Sequence, residues 1–240
     1  MNFRPSIVLL FTLTSLSALQ ANAQDQHGLR LHPVIYQNWD GVFTHLARIL
    51  RATGYVGRVY YEGRCRTEGL GSVDFPGVVV HPTPTQGNTA LRAVSEMFQG
   101  DAAVQVSESK EKILSVTIGE PATAILKTRI SVLRLAPMAA YNPTGAIGVV
   151  EGTREVKAAM AKLGLRFPLE LSEQLLVKPS PGLAHLPAVM KGVTVGQALD
   201  AIAVTFQGII TYGTCPGANG MGLVEIDFVG LGRPLNSPRQ

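Results

Sequence analysis

One stretch limits what this chain can fold into: Ala198-Leu-Asp-Ala-Ile-Ala-Val-Thr-Phe-Gln-Gly208, followed at once by Ile209-Ile-Thr-Tyr-Gly213. Leu199, Ile202 and Phe206 recur at spacings of three and four, with Ala198 and Ala203 beside them, and form one apolar helical stripe. Thr194-Val-Gly-Gln197 has the capping-box form, a hydroxyl for the first free amides and a glutamine three residues on. Gly208 marks the helix end, where a left-handed residue costs least. Ile209 to Tyr212 is a strand, and the turn residues from Pro216 to Gly222 read as a hairpin loop. In the returning strand, Leu223, Glu225, Asp227 and Val229 alternate with Val224, Ile226 and Phe228, which predicts one buried and one wet face. With Leu175-Leu-Val-Lys-Pro179 as a first strand, the unit reads strand, helix, strand, strand.

The unit has an echo upstream. Thr89 to Gly100 aligns without gaps on Gln197 to Gly208, and Ala90, Leu91, Ala93, Phe98, Gln99 and Gly100 recur as Ala198, Leu199, Ala201, Phe206, Gln207 and Gly208. Amphipathic helices resemble one another, so the flanks matter more. Val78-Val-Val-His-Pro82 precedes the first helix as Leu175 to Pro179 precedes the second, and in the same register Val116 and Ile118 fall on Val224 and Ile226. The chain therefore reads as an internal duplication, of α+β class, with two related βαββ-type modules.

Leu175 to Pro179, then Gly192 to Gly213 with its Ala198-Leu199, then Gly222 to Ile226, resembles the short N-terminal domains of secretins and TonB-dependent receptors. The likeness covers about 175–228, and more loosely 78–118. It departs from that pattern in two ways: no barrel or secretin pore comes after it, and the second copy has a longer link from first strand to helix. The resemblance implies a small periplasmic α+β module that docks other proteins, with an envelope protein such as an outer-membrane channel or receptor as partner. It carries over no catalytic residue.

Arg4, the apolar run Ile7 to Leu19 and Ala21-Asn-Ala23 have the form of a secretory signal peptide over 1–23. The run is short of the roughly 20 residues of a spanning helix. The mature protein is expected to be exported, periplasmic or extracellular, and soluble. Two cysteines in an exported chain most simply form one bridge, Cys65–Cys215. Both come after a helix and a tyrosine-containing strand. The competing reading is a reactive thiol at Cys65 between Arg64 and Arg66. The formal charge is +4, with no run of basic residues, so nucleic-acid binding is not expected.

The organisation expected is a flexible leader over 24–36, a first α+β module over 37–119, a helical insertion over 120–168, a second module over 169–230 and a disordered tail over 231–240. Within the first module, a helix is expected over Asp40 to Ala52 with Asp40 as cap, then a strand over Arg58 to Tyr61. Within the insertion, helices are expected over Ala122 to Leu135, over Thr144 to Val150 (with a strand as the alternative for its second part) behind the cap Asn142, and over Arg154 to Leu163 behind the cap Thr153. Ala136 to Tyr141 reads as a connector.

No catalytic residue, metal ligand or cofactor is expected. The chain holds five histidines, His27, His32, His45, His81 and His185, with no two at the spacing of a helical metal pair. Glu225 and Asp227 share one side of a strand, which serves either acid–base chemistry or a wet sheet face. The apolar loop from Pro181 to Met190, with Leu183, His185, Leu186, Val189 and Met190, is a candidate interaction surface; the alternative is a loop packed under its own module. These features suit two functions. The first is an exported module that docks envelope proteins through a sheet edge or this loop, without catalysis. The second is a small-ligand binder or enzyme with a pocket between the modules.

Overall fold

The computed structural model describes residues 34–36, 39–66, 71–81, 89–168, 182–217 and 221–232. All lie in one unit that begins at Val34. The signal-peptide pattern, His27, His32 and the expected strand Leu175 to Pro179 lie outside them. Among the described residues no helix is long and apolar enough to cross a membrane.

The fold is α+β. Its centre is a six-stranded mixed sheet in the order β6-β7-β2-β11-β12-β9. The strands are β2 (Val56–Glu62), β6 (Val104–Glu108), β7 (Ile113–Ile118), β9 (Leu165–Arg166), β11 (Gly208–Cys215) and β12 (Gly222–Gly230). Three two-stranded ladders accompany it. β1 (Val34–Tyr36) pairs with β5 (Val78–Val80), β3 (Arg64–Arg66) with β4 (Ser72–Asp74), and β8 (Arg129–Arg134) with β10 (Val189–Thr194).

Side chains alternate across the sheet and feed two cores. On one face Val59, Tyr61, Leu114, Val116, Ile118, Ile209 and Leu223 pack under α1 (Trp39–Thr53) and α2 (Ala90–Met97). On the other, Ile210, Tyr212, Val224 and Ile226 pack under α4 (Pro143–Glu151), α5 (Arg154–Lys162) and α6 (Val195–Phe206). A sheet with parallel pairs at its centre needs cover on both faces, and gets it.

One order of pairings occurs twice. In the first half, β1 pairs antiparallel with β5, β2 parallel with β7, and β7 antiparallel with β6. In the second, β8 pairs antiparallel with β10, β9 parallel with β12, and β12 antiparallel with β11. The halves join where β2 runs parallel to β11. Each half is longer than the strand–helix–strand–strand unit expected from sequence.

Local signals hold where a cap sets them. Thr194 and Gln197 form the capping box of α6, Asn142 caps α4 and Thr153 caps α5. Other expectations are corrected. α1 begins at Trp39, ahead of Asp40. Val34–Tyr36, expected in the leader, forms β1 because β5 offers it a ladder. Residues 122–135 are not a helix but a 3-10 turn, Thr123–Lys127, and then β8. The β8–β10 ladder breaks at Ser131 and Gly192, where Gly192 turns left-handed (φ +64°) and the Ser131 amide donates instead to Glu155. The break lets Ile130 and Leu133, three residues apart, both face the core, which is the spacing that imitates a helix.

Residues 120–168 therefore hold β8 and β9 as well as α4, α5 and the short helix α3 (Pro137–Ala140). Strand pairing ties them to β10 and β12, so they are not a helical insertion. At the end of α6 the left-handed residue is Gln207 (φ 52°), and Gly208 already belongs to β11. Gly208 is small because a Cβ there would meet the ring of Phe228 at 2.1 Å. At the expected tail, Leu231 is buried and its amide donates to the Gln207 carbonyl at 3.0 Å.

Candidate functional site: a carboxylate groove beside an open strand

The β3–β4 hairpin leaves the end of β2 and folds back over the sheet. Two fixings hold it there. Cys65 of β3 is bridged to Cys215 at the end of β11, 150 residues on. The Val73 amide of β4 donates to Glu225 Oε2 of β12 at 2.7 Å. The bridge expected from the cysteine count is thus present, and a reactive thiol at Cys65 is replaced by it.

Between hairpin and sheet runs a groove of about 1100 Å³ that draws on both halves of the chain. The first half contributes Tyr61, Glu62, Arg64, Arg66, Asp74 and Phe75; the second contributes Glu225, Asp227, Phe228 and Val229. Arg66 is paired with Asp74 at 3.0 Å. Glu225 and Asp227 face the groove together, as the strand alternation expects. Burial pushes the Asp227 carboxyl above its ordinary value, and a hydrogen bond shared with Glu225 opposes that rise. Tyr61 forms part of the wall, its ring edge-on to Phe75 at 5.0 Å. Its hydroxyl is held protonated, first by burial and then by the charges of Glu225, Asp227 and Asp74. Gly213 makes room for that ring, since a Cβ there would stand 2.4 Å from Tyr61 Cζ. The groove is thus a place of negative field.

Among the described residues, the strand that carries the carboxylates is unequally covered along its outer side. β9 pairs with Gly222 and Leu223 only. From Val224 to Gly230 no strand among the described residues lies on that side. The counterpart in the first half is complete: β2 pairs with β7 from Val56↔Ile113 through Tyr61↔Ile118. The Gly222 amide donates to Gly164, away from β11. By the alternation of a ladder, the amides of Ile226 and Phe228 point to the same, open side.

The apolar loop divides between core and surface. Leu186 is 1% exposed and its amide donates to the Ala140 carbonyl at 2.8 Å, so it is not available to a partner. Leu183 and Val189 are 47% and 39% exposed, Met190 is half-buried, and Val189 and Met190 belong to β10. His185 stacks on Tyr141 with centroids 4.9 Å apart. None of these residues lines the groove. Among the described residues no three His, Cys, Asp or Glu side chains gather as a metal site.

Sequence reasoning missed Tyr61, Asp74 and Arg66 as neighbours of Glu225. The only local signal was the alternation of Ser72-Val73-Asp74 between glycines. Compared with protein-family models, with curated proteins and with solved structures, the chain has no match in any of the three.

Proposed function

We propose that this protein is an exported interaction module that takes an extended segment of another envelope protein along the open edge of β12, beside the carboxylate groove. One observation carries the reading: among the described residues, the position filled by β2 along β7 in the first half is filled only at its start, by β9, along β12 in the second. An uncovered strand edge is a template for another chain, and strand addition is a common mode of peptide recognition. Export rests on the signal-peptide pattern over 1–23, and the Cys65–Cys215 bridge suits an oxidising compartment. The resemblance to the docking domains of secretins and TonB-dependent receptors points the same way.

The second reading, a small-ligand binder or enzyme, has the groove and its Glu225–Asp227 pair in its favour. Yet four of the groove's residues, Glu225, Asp227, Phe228 and Val229, belong to the strand whose outer edge has no partner there among the described residues, which favours a chain paired along it. To test the docking reading, a photo-crosslinking phenylalanine analogue is placed at Gly230 on the exposed end of the edge, or at the exposed Val204 of α6. Irradiation in the source cells should give a protein adduct from the first position and none from the second. Adducts at neither, or equally at both, would overturn the assignment of this edge.

A further inference from the structure

We infer that the occupant of the β12 edge is a basic extended segment, with lysine or arginine at two alternate positions facing Glu225 and Asp227 and apolar residues between them. This inference rests on the docking reading and names its partner chemistry.

Register supplies the first argument. Residues directly opposite one another on paired strands have their Cβ atoms about 4.5–5.5 Å apart. A strand laid beside β12 therefore presents one set of alternate side chains to Glu225, Asp227 and Val229, on the groove face. The intervening set meets Ile226 and Phe228 on the other face, where Phe228 packs edge-on to Phe206 at 6.3 Å. The complementary pattern is basic, apolar, basic, apolar, apolar.

Charge supplies the second. The groove holds Glu62, Asp74, Glu225 and Asp227 against Arg64 and Arg66, and Arg66 is already held by Asp74. No cation among the described residues pairs with Asp227. Burial of Asp227 penalises its charged form, the hydrogen bond shared with Glu225 offsets only part of that, and a lysine or arginine brought by a partner offsets more. The charges of Glu225, Asp227 and Asp74, which converge on the buried Tyr61, attract such a side chain.

The third argument removes the rival occupant. Charged side chains on an edge strand oppose pairing with chains of like charge, and those of β12 are both acidic, Glu225 and Asp227. A second copy pairing edge to edge would set carboxylates against carboxylates, which is unfavourable. Acidic segments are turned away for the same reason.

The test uses the mature, oxidised full chain and three labelled synthetic peptides of equal length: one with lysine and valine alternating, one with glutamate in place of lysine, and one with the lysines moved together. Affinity is read by fluorescence anisotropy at two salt concentrations, and amide exchange at Ile226 and Phe228 is followed by NMR. The alternating basic peptide should bind about tenfold more tightly than either other, protect both amides and weaken with salt. Asp227→Asn with Glu225→Gln should erase the preference while leaving the folded spectrum intact. If the three peptides bind alike and protect the amides, the edge is a docking site but the basic occupant is wrong. If no peptide protects those amides, and Gly230 also gives no adduct in cells, the docking reading falls together with this inference.

Discussion

Arg58 and Asp200 show what a single charge pair does at the joint between the halves. Arg58 Nη2 on β2 donates to Asp200 Oδ2 on α6 at 2.7 Å, and Nε lies 2.5 Å from Oδ1. Both side chains are little exposed, and burial still holds the Asp200 carboxyl above its ordinary 3.8 despite the guanidinium. A carboxyl whose folded value is raised binds its proton more tightly when folded. Its stabilising contribution is complete below the unfolded value and is lost as pH rises through the folded one. Removing the cation raises the folded value further, so the penalty at neutral pH grows. Arg58→Ala should therefore cost about 1–3 kcal/mol near pH 7 and distinctly less near pH 4, where Asp200 takes up a proton. Urea titrations at the two pH values measure the difference. An equal loss at both would trace the effect to the packing of the arginine stem and not to its charge.

Elements were legible where their signals are local. The α6 stripe and its capping box sit within a dozen residues, and the caps Asn142 and Thr153 lie beside the helices they start. Thr194 accepts from the Gln197 amide at 3.2 Å, and Gln197 accepts from the Thr194 amide at 2.9 Å. Thr194→Ala should cost about 1 kcal/mol, seen as a lower urea midpoint at unchanged slope, and Thr194→Ser should restore most of it. Full stability in the alanine variant would mean that tertiary packing alone sets the helix start. Short strands were not legible, because their partners lie far along the chain. β1 needs β5, β8 needs β10, and β9 needs β12. The groove divides in the same way. The alternation of Glu225 and Asp227 could be read directly, whereas the hairpin that brings Asp74 over them depends on a bridge across 150 residues and on Val73 finding Glu225.

At the scale of the molecule, the twofold order of pairings invites the expectation of two domains that unfold separately. The cores argue otherwise. The core under α4, α5 and α6 includes Val56 and Ile113 from the first half, and the core under α1 and α2 includes Ile209, Cys215, Leu223 and Leu231 from the second. The central sheet runs through both halves along the β2–β11 ladder, from Ile209↔Gly57 to Thr214↔Glu62. Opening either half alone would expose apolar residues of the other and strand the backbone groups of that ladder. Calorimetry of the oxidised protein should therefore give one transition, with equal calorimetric and van't Hoff enthalpies. Replacing both cysteines, Cys65→Ser with Cys215→Ser, should lower the unfolding free energy by about 2–5 kcal/mol and the transition temperature with it, without splitting the transition, because ladder and shared cores still couple the halves. Two resolved transitions in the oxidised protein would overturn this coupling. Two that appear only in the cysteine variant would show that the bridge, and not the sheet, makes the molecule one cooperative unit.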